Sequence, residues 1–385
     1  MRKNSIDVVL SLVLGLAVVV FAGMGPGDIA ARVSRRTMQM QPMHQGMQRT
    51  KATSSKAKSV KTTVSKTTGS CSPRKFSAPS YTGPFFDAHL HMPSLFDFHS
   101  MLMGDGHENV SMGDGVDPIL DKDVTLDHIL CLFAKEQTRG AIGFSMGVVQ
   151  VKDQMLAMAR SIRERAKGAI HLFVMIPGYP AADIDTMLSA EKGLFTGIGE
   201  VALYFIDLKG VRPDSQRFLD VYTVAQKHNA IVMIHPDAMQ EQAVESVVRA
   251  HPNVRFLFHG PELENSVHGL IAKYPNVFFS IDTSLIRLPG KPGGLMYMSR
   301  TKDEFKTQYA RNYDAMMSNA LRTWQPRIEE YPDRYMWGTD RAYDWMFDED
   351  VSELIDKFSR DFIGKLKPSV QEAYAYKNAE RLLQK

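Results

Sequence analysis

Four imidazoles and two carboxylates in this chain stand where they can hold divalent cations and move protons. Residues 85–92 read Phe-Phe-Asp-Ala-His-Leu-His-Met, so His89 and His91 lie two apart at the end of an apolar run. In an extended strand such residues point to one face, and paired imidazoles there suit a divalent cation such as zinc. Two ligands do not complete a site, and the rest must come from elsewhere in the chain. Glu200 follows Gly197-Ile198-Gly199, His235 follows Ile231-Val232-Met233-Ile234, His259 follows Phe256-Leu257-Phe258, and Asp340 follows Met336-Trp337-Gly338-Thr339. Any one of these polar residues can simply mark where a strand meets water. Six of them, each closing an apolar run, make a constellation.

The other eight of the 12 histidines give the contrast. His128, His228, His251 and His268 fall in helix-like stretches or at their ends, and His171 opens a strand. His44, His99 and His107 lie in loop or linker sequence. None of these is expected to be a ligand. The chemistry implied by the six is metal-assisted hydrolysis with one or two ions. A bound divalent ion acidifies water and polarises a carbonyl or phosphoryl oxygen. Asp340 is placed to take the water's proton and pass it to the leaving group. An amide, ester or lactone of a small molecule is the expected substrate.

The elements that must position these residues alternate in type. Apolar runs at 84–90, 141–151, 169–176, 196–201, 230–234, 254–258, 277–281 and 335–338 read as strands. Between them, stretches such as 181–194, 214–228, 240–250 and 262–273 repeat Leu, Val and Ile at the helical period. Pro180, Pro252 and Pro275 punctuate the boundaries. Eight strands alternating with helices predict a parallel (β/α)8 TIM barrel, whose active sites collect where the strands end. A doubly wound open sheet is the alternative, but no Gly-x-Gly-x-x-Gly turn follows the first strand. Two stretches depart from the short connections of such a fold. The segment 92–125 is long enough to be a lid, and 284–301, rich in Pro and Gly, falls on the ligand side.

Composition separates a leader from a body. Of the 46 basic and 43 acidic residues, the first eighty hold 13 and 2, leaving residues 81–385 with 33 and 41. The body is therefore acidic, a poor surface for nucleic acid. Residues 1–24 carry Arg2 and Lys3 before a mostly apolar run, which predicts export through a signal peptide or an N-terminal membrane anchor. Residues 25–80, rich in Ser, Thr, Lys, Gln and Met, read as a disordered linker. Its Met38, Met40, Met43, His44 and Met47 have the softness for Cu(I), although low-complexity composition accounts for them. Cys71 falls in the linker and Cys131 in an apolar stretch, so no disulfide framework is expected and packing alone should hold the body.

Asp87-Ala88-His89-Leu90-His91, with His235, His259 and Gly338-Thr339-Asp340, resembles the metal-dependent amidohydrolase superfamily. The Gly-Thr-Asp ending and the closing Asn378-Ala379-Glu380-Arg381-Leu382-Leu383 resemble its amidohydrolase-related branch. The resemblance implies that His89, His91 and Asp340 bind one metal and that His235 and His259 bind a second. It also implies a bridging group from the fourth strand, often a carbamylated lysine in the superfamily, where this chain has Glu200. Relatives in the same branch resemble zinc decarboxylases and hydratases, which use one ion and need no bridge; this is the competing enzyme reading. Phosphodiester cleavage, as in related metal-dependent deoxyribonucleases, fits poorly with the acidic body. An exported metal-binding domain with a retired site is the reading from another class, and no ligand is missing to favour it. Arg287, Arg341 and Tyr204, with Tyr179 and Trp345, lie just beyond strand ends and are candidates for substrate contact.

Overall fold

Eight strands, all parallel and hydrogen-bonded in chain order, form the centre of the molecule. The computed structural model describes residues 71–92, 124–146, 152–176, 178–204 and 208–384. The strands are β1 (Phe85–His91), β2 (Thr138–Met146), β3 (Ile170–Met175), β4 (Gly197–Ala202), β5 (Ile231–His235), β6 (Arg255–Phe258), β7 (Val277–Ile281) and β8 (Tyr335–Trp337). Between them run α1 (Leu126–Glu136), α2 (Lys152–Arg165), α3 (Ala181–Ala190), α4 (Gln216–His228), α5 (Glu241–Ala250) and α6 (Val267–Lys273). The ring closes just past β8. Leu90 bridges to Arg341, the Asp340 amide donates to the His89 carbonyl at 2.7 Å, and the His91 amide donates to the Arg341 carbonyl at 3.2 Å. This is the (β/α)8 TIM barrel that the alternating pattern predicts. Every residue of β1, β4 and β7 is buried, because helices cover the outer face while side chains fill the inside.

The expected elements differ from the observed ones where tertiary contacts intervene. β2 starts at Thr138, three residues before the apolar run. The helix expected over 262–273 forms only from Val267; residues 261–266 are turns, and there Glu262 and Glu264 are drawn to His235 and Arg287. The connection from β7 to β8 holds α7 (Leu295–Met298) and the 29-residue α8 (Lys302–Glu330). Thr301 caps α8 by accepting from the Glu304 amide at 3.2 Å, while Glu304 accepts from the Arg300 amide at 2.9 Å. After β8 come α9 (Glu349–Ile363), α10 (Pro368–Glu372), a π-helical turn (Ala373–Lys377) and α11 (Asn378–Gln384).

The expectation of a body without a disulfide is overturned: Cys71 and Cys131 are bonded. The reason is that residues 71–80 are part of the compact body, which begins at Cys71 rather than at 81. The Arg74 amide donates to the Lys135 carbonyl at 2.9 Å, and its guanidinium reaches Ser352 at 3.2 Å and Asp356 at 3.4 Å. The Arg360 guanidinium lies 3.7 Å from the Phe76 ring centre. These contacts lay the segment along α1 and α9 and bring Cys71 to Cys131. Residues 1–70, with the leader and the methionine cluster, lie outside the described residues, as do 93–123, with the proposed lid, His99 and His107. No helix among the described residues is long and apolar enough to cross a membrane.

Candidate metal centre

The C-terminal ends of five strands deliver the six predicted side chains to one place. His89 and His91 come from β1, Glu200 from β4, His235 from β5, His259 from the residue after β6, and Asp340 from the third residue after β8. The Nε2 atoms of His89 and His91 are 3.2 Å apart. Asp340 Oδ1 lies 3.3 Å from the first and 3.1 Å from the second, and Glu200 Oε2 lies 3.7 and 3.3 Å from them. On the other side of Glu200, Oε1 is 3.2 Å from His235 Nδ1 and 2.7 Å from His259 Nε2. One carboxylate thus turns each of its oxygens to a different group of imidazoles.

These spacings test whether a cation fits. Donor atoms about 2.1 Å from a shared ion stand roughly 3.0–3.5 Å apart, close to the observed separations around His89 and His91. Among the described residues, three overlapping groups have donor atoms within 4.8 Å of one another: His89, His91 and Glu200; Glu200, His235 and His259; and His89, His259, Asp282 and Asp340. Imidazole and carboxylate donors of this kind suit a divalent ion.

The electrostatics agree. Burial opposes a charge on Glu200, but the imidazolium of His259 and hydrogen bonds from His235 and His259 outweigh it and hold the carboxyl well below its usual range. Burial likewise opposes a charge on His91, yet hydrogen bonds to Asp340 and Glu200 push it up to about 9. His259 is raised well above an ordinary imidazole, with Glu200 and Asp282 overcoming its burial. A buried pocket that draws protons onto histidines has a negative potential, and bound metal competes with those protons for the same donor atoms.

Supporting residues set the geometry. Asp87, buried within β1, accepts from the Thr339 amide at 2.9 Å and the Thr339 hydroxyl at 2.6 Å, which ties the start of the Asp340 loop to β1. Burial pushes the Asp87 carboxyl up to about 6 against these bonds. Asp340 itself has φ +50°, a left-handed conformation that Asp tolerates better than most residues. Tyr297 donates to the Asp340 carbonyl at 2.7 Å and lies 3.0 Å from its Oδ1. Glu262 Oε2 meets His235 Nε2 at 2.8 Å. Asp282, the residue after β7, contacts both His89 and His259. Gly260 has φ +96°, and a Cβ there would stand 2.4 Å from His235 Nε2.

The candidate substrate contacts fare differently. Tyr204 packs its ring on His235 with centroids 4.3 Å apart, so it lies at the centre. Arg341 does not: it is buried and pairs with Glu136 at 2.5 Å. The residue following Asp340 bridges to β1 through its backbone, and its side chain leaves toward the end of α1. Arg287 is held by Glu264 at 2.5 Å. Tyr179 donates its hydroxyl to the Glu200 carbonyl, and Trp345 is buried against Phe305. Asp282, Glu262 and Tyr297 were not singled out from sequence. Only Asp282 carries the same signal as the others, a polar residue closing the apolar run Val277–Ile281.

A family model described as Amidohydrolase matches residues 86–385. An amidohydrolase from Burkholderia multivorans, solved with bound zinc, is similar with a TM-score of 0.51 and 13% identity over 78% of this chain and 99% of that one. A structure described as an amidohydrolase II gives 0.50 at 14% identity, over 78% of this chain and 100% of that one. A 5-carboxyvanillate decarboxylase from Novosphingobium aromaticivorans, solved with manganese, gives 0.49 at 11% identity, over 82% and 100%. No curated protein matches the chain at a significant level. Identities this low bear on the fold, and the family rests on the model match.

Proposed function

The chain belongs to the amidohydrolase family, and on that premise we propose a hydrolase that uses two divalent cations, zinc foremost, against an amide, ester or lactone bond of a small molecule. The observation that carries this reading is Glu200. Its Oε2 faces His89 and His91, and its Oε1 faces His235 and His259, the arrangement expected of a carboxylate shared between two ions. His89, His91 and Asp340 would hold one ion, His235 and His259 the other, with Glu200 between them. When bound, such ions lower the pKa of water toward neutrality and polarise the acyl oxygen under attack. Asp340 takes the proton released from water and returns it to the leaving group. Tyr297 fixes the orientation of that carboxylate through Oδ1. The side chains of His235 and Asp340, 13% and 10% exposed, are the most open of the six and mark the side from which substrate arrives.

The Cys71–Cys131 disulfide supports export as well, since such bonds persist in oxidising compartments and are rare in reducing ones. The function is tested by elemental analysis together with a panel of esters, lactones and amides. Turnover of a panel member that stops on chelation and returns with zinc, with two ions per chain, is expected. A single ion per active chain would end the two-ion reading and return the one-ion decarboxylase to consideration.

A further inference from the structure

We propose that Asp282 is a positioning residue shared by both halves of the centre: one of its oxygens fixes a histidine in each, so the two cation sites are set up together. Asp282 is 4% exposed and directly follows β7. Its Oδ2 lies 3.0 Å from His89 Nδ1 and 3.2 Å from His259 Nδ1. An ionised carboxylate only accepts, so each Nδ1 carries the proton and donates it to Asp282. That leaves each Nε2 lone pair for a cation, and those are the atoms that face Asp340 and Glu200. The two rings stand at 81° with centroids 4.2 Å apart, so a single oxygen meets both through different lone-pair directions. Partners on the far side of a ligating imidazole fix its tautomer and its orientation.

The other two histidines are arranged differently. His235 has its own partner, Glu262, at 2.8 Å, and His91 Nδ1 is buried with no hydrogen-bond partner among the described residues. Among the described residues, Asp282 is therefore the one carboxylate behind the rings that serves both sides of Glu200. The contacts stand by themselves; the consequence for two ions rests on the two-ion reading proposed above.

The test uses the full chain loaded with zinc, with ion content measured against a graded chelator and the downfield imidazole N–H resonances recorded by proton NMR. Asp282→Ala is expected to weaken retention of both ions by about 10- to 100-fold and to remove two N–H signals together. Asp282→Asn keeps an oxygen that accepts from both rings without the charge, so both signals persist but shift, and both ions stay with smaller losses. Glu262→Ala, which frees only His235, should weaken one ion. If Asp282→Ala loses a single ion or none, the proposal falls. Should that variant not fold, Asp282→Asn decides: movement of one N–H signal, or of neither, overturns the shared role. Wild-type protein holding one ion would end the two-ion reading, while the paired N–H response would still judge Asp282.

Discussion

Replacing Gly260 by alanine is expected to disable the half of the centre that contains His235 while sparing the other half. Gly260 follows His259 with φ +96°, outside the conformations most L-residues adopt, and an added Cβ would lie 2.4 Å from His235 Nε2 and 2.5 Å from Cδ2. An ordinary contact is about 3.4 Å or more, so the imidazole or the loop has to retreat by about 1 Å. The backbone strain costs on the order of 1–3 kcal/mol, a loss the barrel tolerates with a melting temperature lower by several degrees. The displacement matters more. A reacting group moved by about 1 Å can lose about 100-fold in rate, and the cation held by His235 and His259 should bind weakly. His89, His91 and Asp340 are untouched by the clash. The expected result is a folded protein with about one ion per chain and turnover down about 100-fold, read by circular dichroism, elemental analysis and steady-state rates. A Gly260→Ala protein with the wild-type ion content and rate would refute the placement of His235 at the centre.

Three further outcomes follow from the same contacts. Asp340→Asn keeps a side chain of the same shape but cannot accept the proton, so turnover should fall about 100- to 10,000-fold while folding is retained; unchanged turnover would remove Asp340 from proton transfer. Cys131→Ser opens a covalent loop whose ends are 60 residues apart, worth up to about 4 kcal/mol in the chain-entropy model. Its chemical-denaturation midpoint should fall, and reductant should shift the wild type toward the variant; equal midpoints would show the bond contributes nothing. Asp356, packed beside Arg360 at 2.7 Å, is pushed up to about 7, first by burial and then by Glu136, against the pull of Arg360. Its folded-state pKa lies above the unfolded value, so the folded state binds this proton more tightly. The contribution to stability is greatest below about pH 4 and is lost as pH rises through about 7. Urea midpoints of Asp356→Asn should lack that decline between pH 4 and 7, and an unchanged pH profile would contradict the assignment.

The barrel and six of its site residues were legible because a parallel strand delivers its last residue to one rim, and each apolar run shows in the sequence where it ends. His89, His91, Glu200, His235, His259 and Asp340 all come from that rim, across some 250 residues of chain. Asp282 obeys the rule too and was legible in principle, since it closes β7 as His259 closes β6. Glu262 and Tyr297 carry no such mark. They come from turns and a short helix whose path is set by packing, and their contacts with His235 and Asp340 exist only after the loops fold. Arg341 misleads for a physical reason: its backbone is tied to Leu90 of β1 while its buried side chain pairs with Glu136 at the end of α1, so this neighbour of Asp340 does not reach substrate. The Cys71–Cys131 bond was hidden because low apolar content in the linker gave no sign that Arg74 and Phe76 dock on the barrel.

A two-ion centre requires that Glu200 stand between the ions. A crystal structure of the zinc-loaded protein, with anomalous scattering measured at the zinc edge, addresses this directly. Two peaks are predicted, about 3.5–4 Å apart, one beside His89, His91 and Asp340 and the other beside His235 and His259, with a Glu200 oxygen toward each. One peak at full loading, or Glu200 bound to neither ion, would contradict it.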